Sequence, residues 1–166
     1  MIKRAEEFAR SCHHGQLRKY TKEPYIVHPE AVAKIVSGVP GSTKEMIAAA
    51  WLHDVVEDCG VSNKQILELF GSTVSILVDM LTDISRPSDG NRAIRKAIDC
   101  AHLAKASPDA QTIKLADLIH NTESIMEFDP KFAKVYLKEK QDLLSVLIHG
   151  DNKLWIMAKN QILTYW

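Results

Sequence analysis

Hydrophobic positions recur every three to four residues along nearly the whole chain, and no window holds the sustained two-residue alternation of a half-buried strand. The first stripe, Ile2, Ala5, Phe8, Ala9 and Cys12, predicts a helix from residue 2 to about 14 that Gly15 ends. A polar, basic connector, GQLRKYTKEPYIVHP, leads to Pro29, which suits the first turn of a second helix, PEAVAKIVSG. A third helix begins after PGS, where Ser42 and Glu45 have capping-box spacing, and is expected to run to about Asp58. Ser62 and Gln65 repeat that signature before ILELFG, and Thr73 to Thr82 continue the helical period. Pro87 and Gly90 in TDISRPSDGN mark a long mobile loop. RAIRKAIDCAHLAKA then reads as a helix that stops at Ser107-Pro108, followed by AQTIKLADLIHNTESIM. Asp129-Pro130 opens a further helix that Gly150 terminates, and a last one carries Leu154, Trp155, Ile162 and Trp166. The pattern predicts an all-α fold, a compact helical bundle, as a single domain over residues 1–166.

Composition narrows the function classes. The 166 residues are 46% hydrophobic and 25% charged, with Lys+Arg 21 against Asp+Glu 21. No global field attracts nucleic acid or an anionic membrane, so any anion binding is local. Cys12, Cys59 and Cys100 are odd in number and lack C-x-x-C spacing, which argues against a zinc knuckle or a disulfide framework and for reduced thiols. MIKRAEEFAR is charged and amphipathic rather than a signal peptide, and no apolar run approaches the roughly 20 residues of a bilayer span. The expectation is a soluble, cytoplasmic protein with no membrane or nucleic-acid partner; homo-oligomerisation stays open.

The chemistry concentrates in WLHDVVED, residues 51–58. Helical spacing sets His53 and Glu57, and likewise Asp54 and Asp58, one turn apart on neighbouring faces. A His-Asp pair alone is a weak signal, but AAAWL before it makes the helix apolar almost all round and so interior. Four ionisable groups there are costly to leave unpaired, and a divalent cation would offset that cost. A satisfied core histidine beside a salt-bridged aspartate is the plainer alternative, and it does not account for Glu57 and Asp58 as well. His28 in PYIVHP lies upstream as a further imidazole.

The run FARSCHHGQLRKYTKEPYIVHP, then AAWLHDVVED, then IKLADLIHN resembles, in order and separation, the HD-domain hydrolases of the bacterial alarmone (p)ppGpp over roughly residues 5 to 145. The resemblance implies metal ligands at His28, His53, Asp54 and Asp117. That set of two imidazoles and two carboxylates suits one Mn²⁺ or a similar first-row cation. It implies that Glu57 and Asp58 position and deprotonate the water and handle the leaving-group proton. Arg18 would pack on the guanine face and Lys19 lie near the nucleotide, where a guanidinium over an aromatic base gains stacking and cation–π energy. Asn121 and Ser124 would contact ribose or phosphate, Tyr136 would line the nucleotide pocket, and His14 would buttress the site. Relatives often have TDD plus a lysine where this chain reads Thr82-Asp83-Ile84-Ser85-Arg86, so either Arg86 stands in or the phosphate contacts differ.

The resemblance thus implies a metal-dependent hydrolase that converts (p)ppGpp to GDP or GTP and pyrophosphate, with no synthetase segment. Two alternatives remain open: an HD phosphohydrolase of another nucleotide (an adenine alarmone, the 2′-phosphate of NADPH or a deoxynucleotide), and a catalytically idle nucleotide-binding module. Glu57 and Asp58 weigh against the second, since a binder has little need of a water-handling pair.

Overall fold

A computed structural model describes residues 1–165, and every regular element among them is a helix. Trp166, expected in the last helix, lies outside the described residues. The chain divides into two units, residues 1–82 and 83–166.

The first unit contains α1 (Ile2–Cys12), α2 (Val27–Ser37), α3 (Lys44–Leu52), α4 (Val55–Asp58), α5 (Asn63–Phe70) and α6 (Ser72–Leu81). Met46 and the run Ala48 to Leu52 are all buried, so α3 is apolar on every side and packs against α1, α2 and α6. Its start is capped one residue later than expected. Thr43, in an extended conformation, accepts from the Met46 amide at 3.2 Å, because Ser42 is still held in the preceding turn by its amide bond to Val39 O. Before α5 the expected reciprocal box is present: the Gln65 amide donates to Ser62 Oγ at 3.2 Å and the Ser62 amide to Gln65 Oε1 at 2.9 Å. Gly71, at φ 89°, makes the sharp turn from α5 to α6 that a side chain would strain.

The third helix does not run through to Asp58. It ends at Leu52, His53 and Asp54 form a turn, and α4 restarts at Val55. Val55 stays buried while Glu57 and Asp58 are exposed. A continuous helix would have kept the carboxylates against the apolar core, at the cost of desolvating them; the break turns them to water.

The second unit contains a single 3₁₀ turn (Pro87–Asp89), α7 (Arg92–Leu103), α8 (Pro108–Phe128), α9 (Pro130–Leu144) and α10 (Asn152–Leu163). The long α8 packs on α9 and α10, and α7 packs on α9. Ser107 and Asp129 cap α8 and α9 through the amides of Ala110 and Phe132. The loop after Asp83 is anchored at its start rather than free. Buried Asp99 accepts from the amides of Ile84 (3.0 Å) and Ser85 (2.9 Å) and from Ser85 Oγ (2.8 Å), and Lys96 pairs with Asp83 at 2.9 Å. Gly150 does not end a helix, since α9 stops at Leu144. It lies so close to α8 that a Cβ would meet Leu115 Cδ1 at 2.8 Å and the Gln111 carbonyl carbon at 3.1 Å. Among the described residues, no helix is long and apolar enough to cross a membrane.

Candidate metal centre and catalytic stretch

In the first unit three donors converge. His28 enters on the first turn of α2, His53 caps the end of α3, and Asp54 precedes α4. The two Nε2 atoms are 3.2 Å apart, and Asp54 Oδ2 lies 3.1 Å from that of His53 and 3.5 Å from that of His28. Both imidazoles are buried, His28 to 1% exposure and His53 to 4%.

His53 Nδ1 is 2.7 Å from the carbonyl of Ala50. A carbonyl only accepts, so Nδ1 carries a proton and Nε2 is the ring nitrogen left to face the cluster as a donor to a metal. A shared proton can bridge one pair of these atoms, whereas a metal ion satisfies all three. Two ligands about 2.1 Å from one ion stand roughly 3.0 Å apart at a right angle and roughly 3.4 Å apart at a tetrahedral angle. Two of the observed separations, 3.1 and 3.2 Å, fall in that range and the third, 3.5 Å, lies just above its upper end, so the donor set fits a divalent transition-metal ion.

The surroundings hold this triangle in place. Tyr25 donates its hydroxyl to Asp54 Oδ2 at 2.6 Å, and its ring meets His28 edge-on with centroids 5.8 Å apart. The Arg18 guanidinium lies 5.7 Å from the Tyr25 ring centroid, while Lys19 lies over Tyr20 at 4.9 Å. The connector between α1 and α2 is folded back on itself by an isolated bridge between Leu17 and Pro24 and by the Arg18 amide bond to Glu23 O. Glu57 and Asp58 follow one turn after the His53-Asp54 pair, and Asp58 accepts from Gln16 Nε2 at 2.9 Å.

His14, expected to buttress the site, is exposed. His13 takes the interior place at 3% exposure, because α1 ends at Cys12 and the chain turns there, carrying His13 inward beneath Tyr25 with ring centroids 4.8 Å apart. Sequence reasoning missed Tyr25, His13 and Gln16. The signal available was their placement within CHHGQ and PYIVHP, the same two runs that supplied His14 and His28.

In the second unit, Asp117 is buried on α8, with Oδ2 accepting from Lys114 Nζ at 2.7 Å and Oδ1 from Asn121 Nδ2 at 2.6 Å. Asp117, Asn121 and Tyr136 line one cavity of about 120 Å³ together with Arg92, Lys96, Lys114, Glu139 and Lys140. Ser124 instead donates to the Asn121 carbonyl at 3.2 Å. Burial pushes the Tyr136 phenol up, so it stays protonated. Arg86, the candidate stand-in lysine, is exposed, with its amide held by Asp89 at 2.6 Å. Burial also raises all three thiols, Cys59 to about 11, so none is a ready thiolate at neutral pH.

A family profile for the HD domain matches residues 5–149. The chain belongs to the HD-domain family. This HD domain is 36% identical over 137 residues to a Synechocystis sp. protein named as a probable guanosine-3′,5′-bis(diphosphate) 3′-pyrophosphohydrolase, covering 81% of the chain and 18% of the relative. It is 37% identical over 152 residues to the enzyme of that name from Aquifex aeolicus, covering 89% and 21%. The chain thus spans about a fifth of the length of these curated relatives. Among solved structures, a metazoan ortholog of SpoT described as hydrolysing ppGpp matches with a TM-score of 0.87 at 26% identity, covering 98% of this chain and 94% of that one.

Proposed function

We propose that this HD domain is a metal-dependent pyrophosphohydrolase that removes the 3′-diphosphate of (p)ppGpp, giving GDP or GTP and pyrophosphate. The observation that carries the reading is the triangle of His28, His53 and Asp54, whose spacing suits one ion. The names of the curated relatives and of the metazoan structure supply the substrate.

The ligands are His28, His53, Asp54 and Asp117, the last assigned from the family resemblance, and the ion is Mn²⁺, one per site. When bound, the ion supplies Lewis acidity to a phosphoryl oxygen and lowers the pKa of a coordinated water. Glu57 accepts the proton of the attacking water, a role open to it because it is exposed one turn after His53. Water adds to the phosphorus attached to ribose O3′, the P–O3′ bond breaks, and Asp58 returns a proton to O3′. Arg18, held over Tyr25, offers a planar guanidinium to the purine, and Lys19 sits near the nucleotide. Asn121 and Ser124 contact ribose or phosphate, and Tyr136 lines the nucleotide pocket.

Incubating the purified protein with Mn²⁺ and a panel of nucleotides, then identifying the products, tests this. Pyrophosphate with GDP or GTP supports it. Orthophosphate from NADPH or triphosphate from a deoxynucleotide, without turnover of (p)ppGpp, would replace it with an HD phosphohydrolase of another substrate.

A further inference from the structure

The catalytic stretch is tied to the first connector by a hydrogen-bond chain that the mechanism above does not use. His13 Nδ1 is 2.7 Å from Gln16 Oε1, and Gln16 Nε2 is 2.9 Å from Asp58 Oδ2. Both contacts agree on one orientation of the amide. With Oε1 accepting from a protonated Nδ1, the NH₂ group faces the carboxylate; a flipped amide would set an oxygen against Asp58 Oδ2, two acceptors at hydrogen-bond distance.

The chain is anchored at its far end and along its backbone. His13 is buried, with Cys59 Sγ 3.3 Å from Nδ1 and the Tyr25 ring packed on it. The main chain of Gln16 is fixed on both sides, its amide donating to His13 O at 3.0 Å and its carbonyl accepting from the Tyr25 amide at 2.8 Å. A flexible glutamine on an open surface would give an exposed aspartate little. A glutamine already immobilised by a buried histidine loses little further freedom on binding it.

We infer that His13 and Gln16 are positioning residues for Asp58, fixing one carboxylate oxygen so that the other is presented to the leaving group; this rests on the role proposed for Asp58. Neither residue touches the substrate. The chain acts on turnover and leaves metal affinity and nucleotide binding alone. Because the link runs through Asp58, its value vanishes when that carboxylate is absent.

A double-mutant cycle of Gln16→Leu and Asp58→Ala tests this, with kcat, KM and metal content measured for each protein. Gln16→Leu is expected to lower kcat about tenfold to a hundredfold with KM and bound metal unchanged. In the Asp58→Ala background the same substitution should change kcat by less than about twofold. Gln16→Glu, of the same shape but without the donor, should be no better than Gln16→Leu. Equal losses in both backgrounds, or a wild-type kcat in Gln16→Leu, would overturn the inference. A wild-type protein that releases no pyrophosphate marks failure of the parent reading instead. The link itself is then decided by the side-chain amide resonances of Gln16, which should move on Asp58→Ala and on His13→Asn; resonances unmoved by Asp58→Ala would overturn it.

Discussion

Tyr25→Phe deletes a single oxygen beside the proposed metal centre and leaves the rest of the ring in place. The hydroxyl donates to Asp54 Oδ2 at 2.6 Å, the same oxygen that faces both imidazoles. Ring contacts to His13, His28 and the Arg18 guanidinium do not involve it, so the fold should be little affected. A hydrogen bond to a charged acceptor contributes about 1.5–3 kcal/mol. Loss of a group that orients a metal ligand costs about 10–100-fold in affinity, which is about 1.4–2.7 kcal/mol at 1.36 kcal/mol per decade. The two routes agree. Titration calorimetry of the apo-protein with Mn²⁺ should therefore show a Kd raised tenfold to a hundredfold at an unchanged stoichiometry. A Kd within about twofold of wild type would show that Asp54 needs no orienting partner or does not bind the ion, and would refute the argument.

Asp54→Ala should lose both metal and activity; a variant that keeps stoichiometric manganese removes Asp54 from the ligand set. Glu57→Ala should retain the metal yet lose about 10²–10⁴ in kcat, the usual contribution of a positioned base, and comparable turnover would end that role. Lys140, 1% exposed, donates to the neutral acceptors Thr122 Oγ1 (2.8 Å) and Gln161 Oε1 (2.6 Å), and burial lowers its pKa to about 7. The unfolded chain then binds one proton more than the folded chain between about pH 7 and the ordinary lysine value of about 10.4, so this contribution to stability rises with pH across that window and is lost as pH falls. Urea denaturation over that range should show the slope in wild type and lack it in Lys140→Met. Asp99→Ala should destabilise by about 2 kcal/mol and speed hydrogen exchange at the Ile84 and Ser85 amides, and unchanged exchange there would mean that Asp99 does not anchor the loop.

Local chemistry made much of the second unit readable from the sequence. Asp129-Pro130 combines a capping side chain with a proline at the first helical position, and α9 begins there; Ser107-Pro108, read only as the stop of the preceding helix, turns out to cap α8 in the same way. Local rules did less well where packing competes with them. Ser42 and Glu45 have the spacing of a box, yet the chain caps at Thr43, and Gly150 reads as a helix stop although its smallness serves a close approach to α8.

By itself the sequence determined the helical period, the caps at Ser62 and Asp129, and the presence of His28, His53 and Asp54 as candidate donors. Only the tertiary structure decided that the helix breaks at His53–Asp54, that Glu57 and Asp58 face solvent, that His13 rather than His14 turns inward, and that Tyr25 grips Asp54. The physical reason is range. Periodicity and capping depend on neighbours three or four residues away, whereas the two imidazoles meet across 25 positions of sequence and Gln16 meets Asp58 across 42. Those meetings follow from how α1, α2 and α6 pack around the apolar α3, and packing is a property of the assembled core.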